Sequence, residues 1–289
     1  MLAPITALQL REYGTSVNLA MTGDSELKTF LTGLAIIAAR QITCFRKSDN
    51  YAWIKPGGLY ENWDLRQCLF DALEVWMTYA LNLHITDCHI GVLETRVNDI
   101  RYSRPLPEFR SVDAVVCSPP YANRLDYSRM WLPELAVYSE LFGADIDAVR
   151  SMQIGTPIVR GRKSEVAVFS SIARECLDRI KNGDGKASDQ YYYPFFQNYT
   201  VELEAGLENA GECLSSGGSC VVFVRDTVRK DEIFPTGKIV EELFVRKLGF
   251  SLLSCERKVI RHHIGMRRGV SSSLYGLGQQ EWWLEFRKN

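Results

Sequence analysis

The chain has 289 residues, of which 46% are hydrophobic and 24% are charged, and its formal net charge is −1. This length and composition predict one large α/β domain, or one domain with a helical appendage, with enough apolar residues for a sizeable core. The balanced charge excludes binding to nucleic acid through an overall basic surface, so any such contact must come from local patches or from a partner.

The eight cysteines are spread along the chain, several of them in apolar runs, without a Cys-x-x-Cys pair. Such cysteines are typical of reduced, buried thiols, so we expect a cytoplasmic protein. The four histidines form no zinc-binding pattern, and we expect no metal. The N-terminus lacks the pattern of a signal peptide, and the apolar run at residues 30–39 is too short to cross a membrane, so we expect no membrane contact.

Residues 1–84 are predicted to form a mainly helical region. Apolar residues recur with helical spacing over residues 26–40 and over residues 65–83, and a Pro-Gly-Gly segment at residues 56–58 separates the two. These amphipathic patterns predict helices that pack their apolar stripes together. The alternative for the same helices is DNA recognition or the docking of a partner.

Residues 85–289 alternate predicted strands and helices and are expected to form a separate α/β domain. The predicted strands cover residues 89–97, 112–117, 219–224, 250–259 and 281–286, and the predicted helices cover residues 131–142, 195–214 and 236–248. This alternation predicts a doubly wound, mostly parallel sheet. No helix separates the last two strands, so they are predicted to pair as an antiparallel hairpin. Residues 143–190 are predicted to be polar and partly loop.

A short loop directly after the strand Val112–Cys117 carries the clearest chemical signal. Its residues are Ser118, Pro119, Pro120 and Tyr121, and it is called the Ser-Pro-Pro-Tyr loop below. Two successive prolines end the strand, because each fixes φ and lacks a backbone donor. Open α/β sheets bind ligands at the carboxyl ends of their strands. The hydroxyl, the prolyl carbonyls and the aromatic ring form a set that can hold a planar ring with an amine.

The loop and its context resemble the amino-methyltransferases of DNA, whose catalytic loop has the sequence Asp/Asn/Ser-Pro-Pro-Tyr/Phe/Trp. The resemblance continues through residues 125–129, residues 135–143 and Ile154-Gly155-Thr156, and it covers roughly residues 85–289. It implies a complete or partial Rossmann-like sheet, S-adenosylmethionine as methyl donor and DNA as partner. The serine form is typical of the branch that methylates cytosine N4, which we favour over adenine N6.

The resemblance also implies roles for single residues. The hydroxyl of Ser118 and the carbonyl of Pro119 accept hydrogen bonds from the amine of a flipped base, Pro120 keeps the loop rigid and Tyr121 stacks on the base. A turn-capping role is the alternative for Ser118. Asp99 follows the preceding strand, where family members often contact the adenine of the cofactor, or it caps a turn or helix.

The candidate DNA contacts are basic or aromatic residues close behind the loop or between the last two strands. The residues close behind the loop are Arg124, Tyr127 and Arg129. The residues between the last two strands are Arg261, His262, His263, Arg267 and Arg268. Basic groups near a target pocket suit contact with phosphates. An aspartate–arginine pair that uses Asp126 and holds the loop in shape is the alternative for the first group, and a solvated surface is the alternative for the second.

The cofactor motif of the same family is missing. It consists of a strand that leads into Phe-x-Gly-x-Gly and then a helix. Gly-x-Gly occurs only at Gly183 and Gly185, after a charged helical segment, and at Gly276 and Gly278, too close to the end for the helix and strand that must follow. We therefore interpret both as chance loops.

Three explanations remain for the missing motif. They are a split enzyme whose second chain carries the glycines, a degenerate subunit without catalysis, and a diverged cofactor loop. We favour a split enzyme, a heterodimer that shares S-adenosylmethionine, because the Ser-Pro-Pro-Tyr loop is intact and a half-sheet leaves an edge and apolar faces that require a partner. The rival hypothesis is a methyltransferase-like subunit that binds DNA or scaffolds a modification or defence complex.

Overall fold

The computed structural model describes residues 2–20, 25–43, 63–82, 99–102, 112–123, 126–159, 167–183, 188–229, 232–259 and 280–289. Within these residues the chain is a mixed α/β protein, as predicted. It divides into two compact units, one formed by Met1–Glu94 with Asp126–Gln153 and the other by Thr95–Leu125 with Ile154–Asn289. The strand predicted at residues 89–97 lies outside the described residues.

The first unit is helical in its described part. Its helices are α1 (Pro4–Ala20), α2 (Ser25–Ile42), α3 (Leu65–Asn82), α4 (Tyr127–Met130), α5 (Leu132–Phe142) and α6 (Ile146–Ser151). The helices predicted from apolar spacing at residues 26–40 and 65–83 are confirmed as α2 and α3. None of the described helices is long and apolar enough to span a lipid bilayer.

The core of this unit lies between α1, α2, α3 and α5. Leu10, Ile42 and Val137 come from three of these helices, and each is fully buried. The burial of such side chains contributes roughly 1.5–3 kcal/mol each. The ion pair between Arg40 on α2 and Glu134 on α5, 2.6 Å apart, is partly exposed and adds little by comparison. Apolar packing therefore holds these helices together.

The second unit contains a four-stranded sheet in the order β1-β2-β6-β5. The strands of this unit are β1 (Val112–Cys117), β2 (Leu214–Arg225), β3 (Thr227–Arg229), β4 (Glu232–Phe234), β5 (Ser251–Val259) and β6 (Gln280–Arg287), with β3 and β4 paired separately. β1 and β2 are parallel, whereas β6 is antiparallel to both β2 and β5. The predicted antiparallel hairpin is confirmed, and the described sheet is mixed, with one parallel pair.

Helices cover one face of this sheet. They are α7 (Ser171–Lys181), α8 (Tyr193–Glu212) and α9 (Thr236–Glu242), with π-helical turns at Ser188–Tyr192 and Leu243–Lys247. Val222, Leu284 and Phe286 point to the covered face and are fully buried. On the opposite face Val116 is 70% exposed and Trp283 is 45% exposed. The described helices therefore bury only one side of the sheet.

The described helices differ from the sequence pattern in two segments. Residues 143–190, predicted to be polar and partly loop, also contain α6, which belongs to the first unit, and α7. The sequence pattern did not indicate α7, because its buried residues Ala173, Cys176 and Ile180 are diluted by charged neighbours. The helix predicted over residues 195–214 ends at Glu212, and the next glycines, Gly217 and Gly218, lie inside β2. Gly217 has φ +80° there, a conformation that glycine adopts without strain.

Two buried carboxylates fix the start of α7 against α8 and α9. Glu204 on α8 accepts hydrogen bonds from the backbone N–H groups of Phe169 and Ser170, at 2.9 and 3.0 Å. Glu242 on α9 accepts from Ser170 Oγ at 2.6 Å and from Ile172 N at 3.3 Å. Burial raises the pKa of Glu204 despite its hydrogen bonds. These hydrogen bonds hold the start of α7 against α8 and α9, and their partners are far apart in the sequence.

Candidate functional site

The Ser-Pro-Pro-Tyr loop leaves the sheet at the carboxyl end of β1, as predicted. The last residue of β1, Cys117, pairs with Val222, and β2 continues beyond it to Arg225. Ser118 is exposed, the next three residues are half-buried and Ala122 is fully buried. The loop is therefore anchored at both ends while its hydroxyl faces solvent.

A buried tyrosine on α8 forms a hydrogen bond to the loop. Tyr199 is 1% exposed, and its Oη donates a hydrogen bond to the Pro120 carbonyl oxygen at 3.0 Å. Among the residues that the structure describes, none donates a hydrogen bond to Ser118 Oγ or to the Pro119 carbonyl. The two successive prolyl carbonyls therefore differ, because one is engaged by the protein and the other has no described donor.

The segment Ile154-Gly155-Thr156 packs against the same tyrosine. Gly155 has φ +72°, and a Cβ atom there would lie 3.2 Å from Tyr199 Cδ2 and 3.6 Å from the Tyr121 carbonyl oxygen. Only glycine combines this backbone conformation with such a close approach. The chain therefore brings a third segment against both the tyrosine ring and the end of the loop.

Asp99 belongs to an ion-pair cluster that reaches α8 through Glu202. Arg101 Nε and Nη2 donate to the two Asp99 carboxylate oxygens at 2.9 and 2.6 Å, and Arg101 Nη1 donates to Glu202 at 2.8 Å. The Arg101 side chain is only 3% exposed. Glu202 lies one turn after Tyr199 on α8, and residues with this spacing are neighbours on a helix surface. One helix therefore anchors both Asp99 and the Ser-Pro-Pro-Tyr loop.

The Asp99 carboxylate keeps one position at which it can accept a further hydrogen bond. Its Oδ1 accepts from both the backbone N and Nε of Arg101, whereas among the described residues only Arg101 Nη2 donates to Oδ2. A carboxylate oxygen accepts two hydrogen bonds, and this side chain is 36% exposed. A hydroxyl or amine of a cofactor fits that remaining position. The turn-capping role left open for Asp99 is compatible with the bond to its Oδ1, and the cofactor role stays a prediction.

We expect Asp99→Asn to make folding less sensitive to acid. The hydrogen bonds from Arg101 lower the pKa of Asp99 in the folded chain. Its charge therefore stabilises the fold above the unfolded pKa of about 3.9, and this stability is lost as the pH falls through the lower folded value. Urea unfolding at several pH values between about 2 and 6 should show a steeper acid loss in the wild type than in the variant.

The matched control for this prediction is Asp178→Asn, because Asp178 is an exposed aspartate of α7 in the same unit. The free energy of unfolding of Asp178→Asn should equal that of the wild type throughout this pH series. Parallel curves for the wild type and Asp99→Asn would show that the pair with Arg101 contributes no acid-sensitive stability.

The predicted DNA contacts that the structure describes lie on α4 in the first unit. Tyr127 is half-buried and Arg129 is exposed. Asp126 pairs with Arg150, whose Nη2 lies 2.7 Å from Asp126 Oδ2. Their contact with DNA stays a prediction. The other candidates lie outside the described residues; they are Arg124, Arg261, His262, His263, Arg267 and Arg268.

Two thiols lie on the neighbouring strands β1 and β2, and one of them, Cys117, ends β1 directly before the loop. The Cys117 thiol and burial together raise the pKa of Cys220 on β2. Both are free cysteines. Among the described residues, no group of three or more His, Cys, Asp or Glu side chains could hold a metal ion.

Arg101, Tyr199 and Glu202 are the residues of this site that the sequence pattern did not indicate. Tyr199 stands in a segment rich in aromatic residues that predicts only an amphipathic helix. Glu202 is one of several acidic residues on that helix, and Arg101 is a single basic residue two positions after Asp99. Their contacts join residues about 80 to 100 positions apart, so no local pattern could reveal them.

No protein-family model, no curated protein and no solved structure matches the chain.

Proposed function

We propose that the chain is the subunit of an S-adenosylmethionine-dependent DNA amino-methyltransferase that holds the target base. The observation that supports this most is that two hydrogen-bond acceptors of the Ser-Pro-Pro-Tyr loop remain available. Ser118 Oγ and the Pro119 carbonyl have no hydrogen-bond partner among the described residues, while the next carbonyl is engaged by Tyr199. Two adjacent acceptors at the carboxyl end of a strand suit an exocyclic amine, which has two N–H donors.

The loop acts by orienting the amine of a base that has been flipped out of the duplex. When both N–H groups donate to Ser118 and Pro119, the nitrogen lone pair points away from the loop. S-adenosylmethionine supplies an electrophilic methyl group on its sulfonium sulfur. As the nitrogen bonds to the methyl carbon, the carbon–sulfur bond breaks, its electron pair stays on sulfur, and the additional nitrogen proton leaves to water. Pro120 stiffens the loop, and Tyr121 stacks on the base.

The sheet is compatible with a Rossmann-like methyltransferase fold. Two parallel strands, β1 and β2, are followed at the carboxyl end of the chain by an antiparallel hairpin of β5 and β6. Such a hairpin is a feature of the methyltransferase fold. The described strands are therefore those expected for the half of the sheet that carries the catalytic loop.

A second chain with the glycine-rich cofactor motif completes the proposed enzyme. Phe-x-Gly-x-Gly between a strand and a helix is absent from the sequence, and Asp99 offers one acceptor position to a cofactor. One face of the sheet also exposes Val116 and Trp283. An apolar face of this kind is usually covered in doubly wound folds. These features favour a heterodimer in which the two chains share S-adenosylmethionine.

The substrate that we favour is cytosine N4, because the loop begins with serine. The test is transfer of labelled methyl groups from S-adenosylmethionine to unmethylated genomic DNA. The chain is assayed alone and together with the product of a neighbouring reading frame that encodes Phe-x-Gly-x-Gly. We expect label only with both chains, and digestion to nucleosides should give N4-methylcytosine.

Each other outcome changes the proposal in a defined way. Labelled N6-methyladenine would change the target base, and label in RNA or protein would replace DNA as the substrate. Full transfer by the chain alone would rule out the shared cofactor site. If no combination transfers label while the pair binds DNA, a methyltransferase-like DNA-binding or scaffold subunit becomes the better account.

A further inference from the structure

The hydrogen bond between Tyr199 and Pro120 suggests a role for a residue outside the loop itself. Prolines cannot donate backbone hydrogen bonds, so a loop with two of them has few ways to be held except through its carbonyls. Tyr199 Oη supplies the donor at 3.0 Å. We propose that Tyr199 is a positioning residue, which holds the Pro120 carbonyl on the protein so that Ser118 and Pro119 face the target amine.

Tyr199 is well placed for this role because its own position is rigid. It lies within the first half of α8, a 20-residue helix, and is 1% exposed. Its ring packs edge-on against Phe234, with 6.3 Å between the ring centroids, and approaches the backbone of Gly155. A side chain held on several sides has little rotamer freedom, so its hydroxyl fixes the carbonyl that it contacts.

We expect the orientation of the loop to depend on the Tyr199 hydroxyl more than on the Tyr199 ring. Without it, the ring still fills the core between Phe234 and Gly155, but the Pro120 carbonyl loses its only described donor. The loop can then rotate its successive peptide planes, so that Ser118 Oγ and the Pro119 carbonyl no longer point to one nitrogen. A displacement of the reacting group by about 1 Å can lower a reaction rate by roughly 100-fold.

The test compares Tyr199→Phe with Tyr191→Phe in the complex of both chains. Tyr191 is a matched control, because it also donates its hydroxyl to a prolyl carbonyl, that of Pro157, at 3.4 Å. Hydrogen exchange at the amides of Tyr121 and Ala122 reports loop order without any activity. We expect exchange about fivefold faster or more in Tyr199→Phe, the effect of one lost hydrogen bond, and no change in Tyr191→Phe.

Single-turnover methyl transfer provides the second readout. We expect the rate of Tyr199→Phe to fall by about 10- to 100-fold, with the KM values for DNA and S-adenosylmethionine within about twofold of the wild type, because the variant misorients the amine without removing a binding group. A merely structural role would lower the fraction of folded protein and leave the rate per folded molecule unchanged. Tyr191→Phe should keep the wild-type rate.

This inference rests on the proposed function, and the two readouts separate their failures. Unchanged exchange at Tyr121 and Ala122 in Tyr199→Phe would overturn the positioning role. Faster exchange with a wild-type methyl-transfer rate would also overturn it, while the proposed function would stand. Faster exchange in a complex whose wild type transfers no methyl group would contradict the proposed function and leave Tyr199 as the residue that orders the loop.

Discussion

Replacing Ser118 with alanine should lower the rate of methyl transfer by about 10²- to 10³-fold, the loss typical of one oriented hydrogen-bonding group at a reacting centre. Ser118 is exposed at the end of β1, and its hydroxyl has no partner among the described residues. Its removal should therefore change the free energy of unfolding by less than about 0.5 kcal/mol. Single-turnover transfer of labelled methyl groups by the complex, with thermal unfolding in parallel, measures both effects.

Ser215→Ala is the matched control for this prediction. Ser215 lies at the opposite end of the β1–β2 pair, and its Oγ donates to the Val112 carbonyl at 3.3 Å. It undergoes the same chemical change far along the strand from the loop, so the variant should transfer methyl groups at the wild-type rate. If Ser118→Ala keeps that rate as well, a turn-capping role is the better account of Ser118.

Gly237→Ala should destabilise the second unit by about 3 kcal/mol, at the upper end of the range for overpacked cores. A Cβ atom at Gly237 would lie 2.2 Å from Cδ2 of the Trp282 indole ring, and both residues are buried. The ring also has the Arg257 guanidinium 5.0 Å from its centroid, so a shift of the ring disturbs a second contact. Urea unfolding followed by hydrogen exchange of α9 and β6 measures the loss.

The effect should be steric, since alanine retains the backbone N–H that donates to Asp226 Oδ1 at 3.3 Å. Gly33→Ala is the control, and we expect it to raise the free energy of unfolding rather than lower it. Gly33 lies inside α2, and a Cβ atom there would have no neighbour within 4 Å. Alanine should stabilise that helix by up to about 1 kcal/mol. Equal stability of wild type and Gly237→Ala would mean that the indole ring moves aside without cost.

Much of the secondary structure could be predicted because its causes are local. The run Val112–Cys117 forms a strand and ends where two prolines follow it. Helical spacing predicted α2 and α3, and the lack of a helix between the last strands predicted their antiparallel pairing. The sequence pattern did not indicate α7, because its short apolar stripe is interrupted by charges. Hydrogen bonds from its start to Glu204 on α8 and Glu242 on α9 stabilise it.

The candidate site could be predicted only in part. The loop was found from its prolines and its place after a strand, and Asp99 from its position after the preceding predicted strand. Neither pattern shows that Tyr199 engages the Pro120 carbonyl or that Arg101 joins Asp99 to Glu202. These contacts depend on where α8 passes beneath the loop, which is a property of the packed unit.

The sequence by itself determined the chemistry that the chain presents, a serine hydroxyl, a pair of prolyl carbonyls and an aromatic ring at the end of an apolar strand. It also determined the absence of a recognisable cofactor motif. The tertiary structure decided which of these groups remain available. It places one carbonyl against a buried tyrosine and leaves its neighbour and Ser118 Oγ without a described partner. The physical reason is that hydrogen-bond partners are selected by long-range packing, whereas the residue types and turns are set by local backbone chemistry.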